Sequence, residues 1–428
     1  MKVLKFGGTS VGSAPQMQRV AEIVTKAAGI ERVAVVVSAM SGVTDALLEA
    51  ARRAARGDLD DREFVGGLAE RHLDALAALV PKGERPRADA CVRGRLDQLV
   101  EHLAGVASLG ECSAPVRDAI VAAGERLIAP LLAAKLRARG LDAVVVDGTE
   151  LISTDAAFGE AAVDLRRTAR RVANRLAALP PSAVAVVTGF IGADAAGRTT
   201  TLGRGGSDYT ASLVGAALRA SAIEIWTDVD GVLTAPPRLL PGARTVPALS
   251  YKEAAALARF GAKVLHPKTM APAARCGVAL VVRNTFRPDG PRTVITSAAS
   301  SRPGTPKAVA ALEDLSGLPQ ELRPRLARID DRLGILAVVG EGVGGNGWVA
   351  RRIRAVLAAG GHRVFRVARG GSGIAVVAIL PADEVRAAVA RLHAGLELPH
   401  RDAAAAAAVT TVPLSVQREP DSLERGSP

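Results

Sequence analysis

Aromatic side chains, cysteines and long apolar runs are all scarce in this 428-residue sequence, and each shortage excludes a class of protein. Aromatic residues make up 3% of the chain, and its arginines are spread along predicted helices instead of clustered. We therefore expect no nucleic-acid-binding surface, which would combine a basic cluster with aromatic side chains. No stretch of about 18 uncharged apolar residues occurs, so we expect no membrane span.

The three cysteines, Cys91, Cys112 and Cys276, lie far apart and form no CxxC pair. This spacing argues against a zinc site and a disulfide framework, and it is typical of reduced thiols in the cytoplasm. The first residues predict a strand followed by glycines instead of a signal peptide. We therefore expect a cytoplasmic protein.

Apolar and basic residues are what the sequence has in abundance. At 428 residues the chain is long enough for two or three domains with sizeable cores, and because 49% of its residues are apolar, it is expected to fold. The net charge of +12 has two interpretations. The excess of arginine over lysine, together with abundant alanine, indicates a compositional bias of the coding sequence, whereas a basic protein also favours anionic small molecules as ligands.

The first candidate site is the turn Gly7-Gly8-Thr9-Ser10, which follows a predicted strand over residues 3–6 and precedes a helical pattern near Ser13. Glycines let an anion approach the backbone, and a helix N-terminus offers free N–H donors. Lys5 adds a full positive charge at the same place. By itself the pattern is weak evidence, because a Gly-Gly turn after a strand is more often a plain β–α connection.

Strand and helix patterns then alternate. A predicted helix over 17–28 leads to the continuous apolar run 33–37, which is typical of a strand buried on both faces of a parallel sheet. Further strands are predicted over 141–146, 183–187, 222–226 and 279–283, with helices between them. This order predicts an α/β domain whose ligands bind at the carboxyl ends of the strands.

The second candidate site is the stretch 199–212, which contains three glycines, several hydroxyl residues, one arginine and one aspartate. Such a composition is typical of a loop that holds a polyanion and a metal. Asp228 and Asp230 follow a later strand, either as ligand-binding residues or as turn formers. Lys263 is a candidate phosphate contact, whereas His266 at a helix start is expected to be structural.

The C-terminal third has a different organisation. Residues 287–324 are rich in Pro, Ser, Gly and charge, which indicates a linker or a degraded small element. The patterns that follow over 333–392 predict β-α-β-β-α, which is most of a ferredoxin-like module. The tail beyond residue 400 is expected to be disordered.

Six motifs in the first 285 residues resemble those of aspartate kinases, in that family's order and spacing. They are KFGGTS at 5–10, SAMSGVTD at 38–45, GER at 124–126, TTTLGRGGSDYTAS at 199–212, WTDVDGVLTA at 226–235 and FGAKVLHPKTM at 260–270. The module that contains 339–342 resembles the ACT domains of that family. The resemblance implies an amino-acid-kinase fold, an open, mainly parallel sheet between helices, over 1–285. It further implies a linker or remnant of a first ACT module over 286–328 and an α+β ACT-like module over 329–398, before the tail 399–428.

The implied reaction is transfer of the γ-phosphoryl group of MgATP to the β-carboxylate of L-aspartate. Its product, 4-phospho-L-aspartate, opens the route to lysine, threonine, methionine and isoleucine. A carboxylate is already nucleophilic at neutral pH, so the site must mainly align two anions and neutralise their charge. ATP and Mg²⁺ are the implied cofactors, and we assign no side chain as a direct metal ligand.

The resemblance also implies roles for individual residues. Lys5 would contact the transferring phosphoryl group, and Asp208 would position Lys5 or the metal shell. The other implied binding residues are Thr44, Glu125 (substrate ammonium) and Arg204 (substrate α-carboxylate), then Gly7, Gly8 and Ser10 (phosphate cradle), and Thr227, Asp228, Arg238 and Lys263 (nucleotide).

The sequence departs from the family pattern in three places. Leu233 replaces an aromatic residue, Pro236 replaces the aspartate of an Ala-Asp-Pro-Arg segment, and there is room for one ACT module instead of two. We therefore expect weak or absent feedback inhibition by lysine or threonine. Because ACT modules usually pair edge to edge, the resemblance also implies a homodimer formed through the ACT-like module. The alternatives are another amino-acid kinase with an acidic substrate and a non-catalytic amino-acid-binding regulator.

Overall fold

The computed structural model describes residues 1–262, 265–298, 303–314, 332–345, 347–370 and 372–398. Lys263 and the C-terminal tail, for which the sequence predicts a phosphate contact and disorder respectively, lie outside these residues. Within the described ranges no helix is long and apolar enough to cross a membrane.

The larger part of the chain is built on an eight-stranded sheet of order β3-β4-β2-β1-β7-β9-β10-β8. Its strands are β1 (Lys2–Phe6), β2 (Val33–Val37), β3 (Ala143–Val146), β4 (Val184–Thr188), β7 (Ile223–Thr227), β8 (Ala248–Ser250), β9 (Leu280–Asn284) and β10 (Thr293–Thr296). All neighbours pair in parallel except β9 and β10. A two-stranded hairpin, β5 (Ile191–Ala193) with β6 (Thr199–Thr201), lies outside this sheet.

The central strands are buried on both faces, as their uninterrupted apolar runs predict. All five residues of β2 are buried, and β2 pairs in register with β1 from Lys2–Val33 to Phe6–Val37. Apolar side chains on the two faces belong to two separate clusters, one with Leu4 and Phe6 and the other with Val3. This alternation follows from the two-residue period of a strand.

Helices cover both faces of the sheet. They are α1 (Ala14–Ala28), α2 (Val43–Arg56), α3 (Asp61–Leu79), α4 (Pro86–Leu109), α5 (Ala114–Val121), α6 (Ala123–Arg137), α7 (Gly148–Leu151), α8 (Leu165–Ala177), α9 (Gly206–Ala217), α10 (Tyr251–Arg259) and α11 (Pro267–Cys276). Helix α9 begins at Gly206, inside the glycine-rich loop, because Gly205 adopts φ +72° immediately before it.

The C-terminal module is a four-stranded antiparallel sheet of order β11-β12-β14-β13, with helices α12 and α13. Its elements are β11 (Ala308–Leu312), β12 (Leu333–Val339), α12 (Gly347–Ala359), β13 (Arg366–Arg369), β14 (Ala375–Pro381) and α13 (Val385–Gly395). The predicted order β-α-β-β-α of the segment after residue 332 is therefore present, and a fourth strand is added by β11.

Two strands lie within 286–328, the interval for which the sequence predicts a linker or a remnant of a first ACT module. Strand β10 in this interval belongs to the large sheet, and β11 forms the edge of the C-terminal sheet. The first unit therefore extends past residue 285, and the second begins before 329. Each strand is only four or five residues long, too short for a periodic pattern to stand out among the flanking prolines and glycines.

Candidate active site

The carboxyl ends of the central strands open into a cavity of about 770 Å³. Its walls come from the end of β1, the first turns of α2 and α6, the end of α5 and the loop before α9. Side chains far apart in the sequence meet here because parallel strands end at one edge of the sheet. The cavity brings together five of the predicted site residues: Lys5, Thr44, Glu125, Arg204 and Asp208.

Lys5 and Asp208 form an ion pair in this cavity. Lys5 Nζ lies 2.5 Å from Asp208 Oδ1, and the two side chains are 11% and 14% exposed. The contact is ionic and not an aligned hydrogen bond, since Oδ1 accepts no hydrogen bond from the residues that the structure describes. A positive charge and a poorly solvated carboxylate oxygen are therefore held side by side at the end of β1.

The Gly7-Gly8 turn lies directly against this pair. A Cβ on Gly7 would be 3.5 Å from Lys5 Nζ, and a Cβ on Gly8 would be 2.9 Å from the carbonyl oxygen of Ala39. Gly8 is therefore required by the close approach of the loop after β2. The Ser10 hydroxyl is buried, 2.7 Å from Thr285 Oγ1, so it joins the turn to the chain after β9 and does not face the cavity.

Glu125 is a buried carboxylate in the first turn of α6. Its Oε1 accepts a hydrogen bond of 3.0 Å from the Ala39 amide, while Oε2 has no partner within the described part of the chain. Burial raises the pKa of Glu125 to about 7, against the opposing effects of the Ala39 hydrogen bond and the Lys5 charge. A buried oxygen without a donor, at the wall of a cavity, suits a cationic ligand group.

Arg204 and Thr44 complete the predicted substrate side. Arg204 is exposed in the loop before α9, and Thr44 is half-buried at the second position of α2; both line the cavity. Among its charged groups the cavity thus presents the Arg204 guanidinium, the Glu125 carboxylate and the Lys5 ammonium. These charges match the α-carboxylate, α-ammonium and side-chain carboxylate of an acidic amino acid.

Asp118 is a cavity residue that the sequence analysis missed. It is 1% exposed, and its Oδ2 accepts hydrogen bonds from the amides of Thr201 (2.7 Å) and Gly159 (2.8 Å) and from Thr201 Oγ1 (3.1 Å). Asp118 therefore holds the end of β6, three residues before Arg204. The sequence offered little signal for it, because Asp118 and Glu125 are seven residues apart but lie on two helices, α5 and α6, that meet at Ala122.

The other two threonines of β6 also make side-chain hydrogen bonds, each with a different partner. Thr200 Oγ1 lies 2.7 Å from Thr154 Oγ1, and Thr199 Oγ1 accepts a hydrogen bond of 3.1 Å from Arg126 Nη2. Arg126 in turn forms an ion pair of 2.8 Å with Asp147. The hydroxyl-rich start of the 199–212 stretch thus anchors the loop, and its second half lines the cavity.

A second cavity, of about 320 Å³, lies beyond the end of β7. Thr227, Asp228 and Arg238, three of the four predicted nucleotide residues, line it together with Leu233. Its lining is mostly apolar, which suits a flat base better than a phosphate chain.

The two cavities lie at the ends of neighbouring strands. Phe6 of β1 pairs with Trp226 of β7, and the Gly7 amide donates to the Trp226 carbonyl oxygen at 3.2 Å. Gly7 therefore lies where the ends of β1 and β7 meet, between the strands that lead to the two cavities. A ligand with a flat base in the second cavity could extend a phosphate chain past Gly7 toward Lys5 in the first.

Three comparisons with known proteins agree with this geometry. Residues 1–284 match the family model described as the amino acid kinase family. Lysine-sensitive aspartokinase 3 of Escherichia coli is 36% identical over 70% of this chain and 65% of its own, and aspartokinase 2, chloroplastic, of Arabidopsis thaliana is 38% identical over 69% and 54%. The crystal structure of E. coli aspartokinase III with aspartate and ADP superposes with a TM-score of 0.76 at 27% identity, covering 93% of this chain and all of that one.

The chain belongs to the amino acid kinase family. Within that family it is similar to aspartokinases in sequence and in structure, as its motifs predict. The match spans less than two thirds of the length of these curated relatives.

Proposed function

We propose that this protein is an aspartate kinase, which transfers the γ-phosphoryl group of MgATP to the β-carboxylate of L-aspartate. The observation that supports this most directly is the charge pattern of the first cavity, in which Lys5, Glu125 and Arg204 face one space. The structural relative crystallised with aspartate and ADP supports the same pair of ligands. The product would be 4-phospho-L-aspartate, which leads toward lysine, threonine, methionine and isoleucine.

Aspartate would bind with its α-carboxylate on Arg204 and its ammonium on Glu125 Oε2, with Thr44 beside it. Its β-carboxylate would then point toward Lys5. Arginine suits the α-carboxylate because its planar guanidinium donates two parallel hydrogen bonds. Since the acceptor is already an anion, the protein has to neutralise repulsion between it and the phosphoryl group, which Lys5 and the N-terminus of α9 would do.

ATP would place its base in the second cavity, near Thr227, Asp228 and Arg238, with its phosphates over Gly7 and Gly8. Lys263 remains a predicted phosphate contact. Mg²⁺ would supply charge neutralisation on the phosphates. The donor set fits a metal held mostly by phosphates and water, because Asp208 Oδ1 is already paired with Lys5 and the described residues contain no cluster of three metal-ligating side chains.

The direct test is aspartyl hydroxamate formation from ATP, Mg²⁺, aspartate and hydroxylamine. We expect product with the wild-type protein and none above background with Lys5→Ala. Lys26→Ala is the matched control, because Lys26 is an exposed lysine that pairs with exposed Asp289. Absence of product with wild type, or unchanged product with Lys5→Ala, would contradict the proposal.

Substrate binding is tested separately with Arg204→Ala. We expect a higher aspartate KM and lower turnover, with little change in the ATP KM. Arg198→Ala is the control, since Arg198 is also exposed but pairs with Asp194 in the β5–β6 turn. An unchanged aspartate KM in Arg204→Ala would remove Arg204 from the substrate site.

We further propose a cytoplasmic homodimer. Cys91, Cys112 and Cys276 are all free thiols, as a reducing compartment allows. Strand β13 forms an exposed edge of the C-terminal sheet, where a second copy could pair. Light scattering after size exclusion tests the dimer, and a monomer at micromolar concentration would contradict it.

A further inference from the structure

Residues 234–244, here called the bridging loop, lie between the second cavity and the C-terminal module. The loop is closed on itself, because the Thr234 amide donates to the Arg244 carbonyl oxygen (2.8 Å) and the Arg244 amide donates to Thr234 Oγ1 (3.0 Å). The bridging loop continues directly from the residues that line the cavity after β7. Its conformation therefore affects the shape of that cavity.

The module binds the bridging loop at Thr234 through two hydrogen bonds. The Val309 amide of β11 donates to the Thr234 carbonyl oxygen at 2.8 Å, and Thr234 Oγ1 lies 2.8 Å from His393 Nε2 on α13. Since Thr234 Oγ1 already accepts from the Arg244 amide, its proton is available to donate to His393. Thr234 is only 3% exposed, so water replaces these bonds poorly.

A second attachment lies at Arg238. Its guanidinium pairs with Glu313 at the end of β11, and its carbonyl oxygen accepts a hydrogen bond of 3.2 Å from Arg386 Nη1 on α13. Arg238 is also one of the residues that line the second cavity. The module thus contacts both the backbone and the side chain of a predicted nucleotide residue.

Apolar packing extends the contact. Ala235 and Leu239 of the bridging loop are 3% and 5% exposed, and they belong to the buried cluster that forms the core of the module, together with Val309, Val389 and Leu392. The bridging loop is therefore folded into the module as well as into the first unit. In addition, Val309 and Ala310 of β11 line the second cavity themselves.

We propose that the C-terminal module is a structural part of the nucleotide site, and that His393 is a positioning residue that acts through Thr234. This inference rests on the proposed function in assigning a nucleotide to the second cavity. The module forms one wall of that cavity and holds the loop that forms another. Nucleotide binding and docking of the module should consequently stabilise each other.

The module is also docked at a separate place, which makes His393 suitable for mutation. Glu253 of α10 is fully buried; its Oε2 pairs with Lys307 Nζ at 2.7 Å, and its Oε1 accepts from the Glu341 amide at 2.8 Å. Both partners lie in the module, beside β11 and β12. Loss of the His393 hydrogen bond should therefore loosen the bridging loop without releasing the module.

The experiment is calorimetric titration of full-length protein with ADP, together with steady-state kinetics. We expect His393→Ala to weaken ADP binding and to raise the ATP KM about fivefold to tenfold, the size of one lost hydrogen bond. The aspartate KM should stay within about twofold. His393→Gln, whose side-chain oxygen can accept from Thr234, should restore most of the affinity.

Two variants guard against misfolding and indirect effects. His362→Ala is the matched control, because His362 lies in the same module but pairs with Glu384 within it, so ADP affinity should not change. Arg386→Gln removes an exposed side chain whose contact is the Arg238 carbonyl oxygen, and it should weaken ADP binding about twofold.

The outcomes separate this inference from the proposed function. Unchanged ADP affinity in both His393→Ala and Arg386→Gln would overturn the inference, as would an equal rise in both substrate KM values or no ADP binding by wild type. If wild type forms no aspartyl hydroxamate but His393→Ala still loses ADP affinity, the proposed reaction fails and the role of the module stands.

Discussion

Lys5 at the end of β1 and Asp208 in the first turn of α9 lie in contact, with 2.5 Å between Nζ and Oδ1. The pair joins the strand that leads into the Gly7-Gly8 turn to the first turn of α9, and both Lys5 and Asp208 line the first cavity. Because each charge is poorly solvated, neither residue can be replaced without leaving the other uncompensated. The contact also keeps the lysine amine near Gly7, where a phosphoryl group would pass.

We predict that Lys5→Met and Asp208→Asn each lower kcat at least about 100-fold, the usual cost of removing a group that stabilises charge in a transition state. The double variant should be little worse than either single one, because the two residues act as a unit. Kinetics of the four proteins in the hydroxamate assay measure this. Additive losses would show that Lys5 and Asp208 act independently.

The raised pKa of Glu125 predicts that aspartate binding depends on pH. With a pKa of about 7, Glu125 is partly protonated at neutral pH, and a substrate ammonium beside Oε2 favours the carboxylate. Aspartate binding should therefore release a proton, and the aspartate KM should fall as the pH rises from about 5.5 to 7.5. Calorimetry in buffers of different ionisation enthalpy measures the proton directly.

The same shift predicts a pH-dependent stability. Since the folded-state pKa lies above the ordinary value of 4.5, the neutral carboxyl is the form that the fold favours. Its stabilising effect is complete below about pH 4.5 and is lost as the pH rises through 7, by up to ~3 kcal/mol. Chemical denaturation of wild type and Glu125→Gln should diverge over this range. Parallel curves would show that Glu125 is ionised in the free protein, and Glu22→Gln, on the surface of α1, is the control.

Asp118→Ala should raise the aspartate KM roughly tenfold, because two backbone amides that shape the path to Arg204 lose their acceptor. Asp118→Asn retains an oxygen acceptor and should recover most of the affinity. Steady-state kinetics test this when the aspartate KM and the ATP KM are measured separately for each variant.

Asp194→Ala is the matched control for Asp118. Asp194 is also a buried aspartate that accepts from backbone amides, those of Ala196 and Arg198, but it holds the opposite end of the same hairpin. Both variants should lose stability, and only Asp118→Ala should lose aspartate affinity. Equal effects on the aspartate KM would indicate that the whole hairpin, and not Asp118, positions the loop.

Feedback inhibition is predicted to be weak or absent. Residues 313–332 are all that separate β11 from β12, which is too short for a second β-α-β-β-α module. Millimolar lysine or threonine should therefore lower the rate less than about twofold, because a ligand without differential affinity for two states shifts no equilibrium between them. Strong inhibition by either amino acid in the purified enzyme would contradict this prediction.

Much of the first unit could be predicted from the sequence because its signals are local. Buried parallel strands have uninterrupted apolar runs, as in β2 and β4, and glycine-rich turns mark the ends where ligands bind. The motifs also indicated Lys5, Glu125, Arg204 and Asp208 as one site, and these residues line one cavity. The short strands β10 and β11 were missed, since pairing with distant partners, not local pattern, makes them strands.

The amino-acid sequence by itself determined the fold class and the residue types of the site, because both depend on periodicity and on glycine, lysine and carboxylate chemistry. Only the tertiary structure decided which carboxylates are buried. It brings the Asp118 carboxylate on α5 into hydrogen-bond contact with the end of β6. It also leaves Glu125 Oε2 without a hydrogen-bond donor among the described residues. It also joined the bridging loop to α13 and β11, since contacts between distant segments depend on how the two units pack.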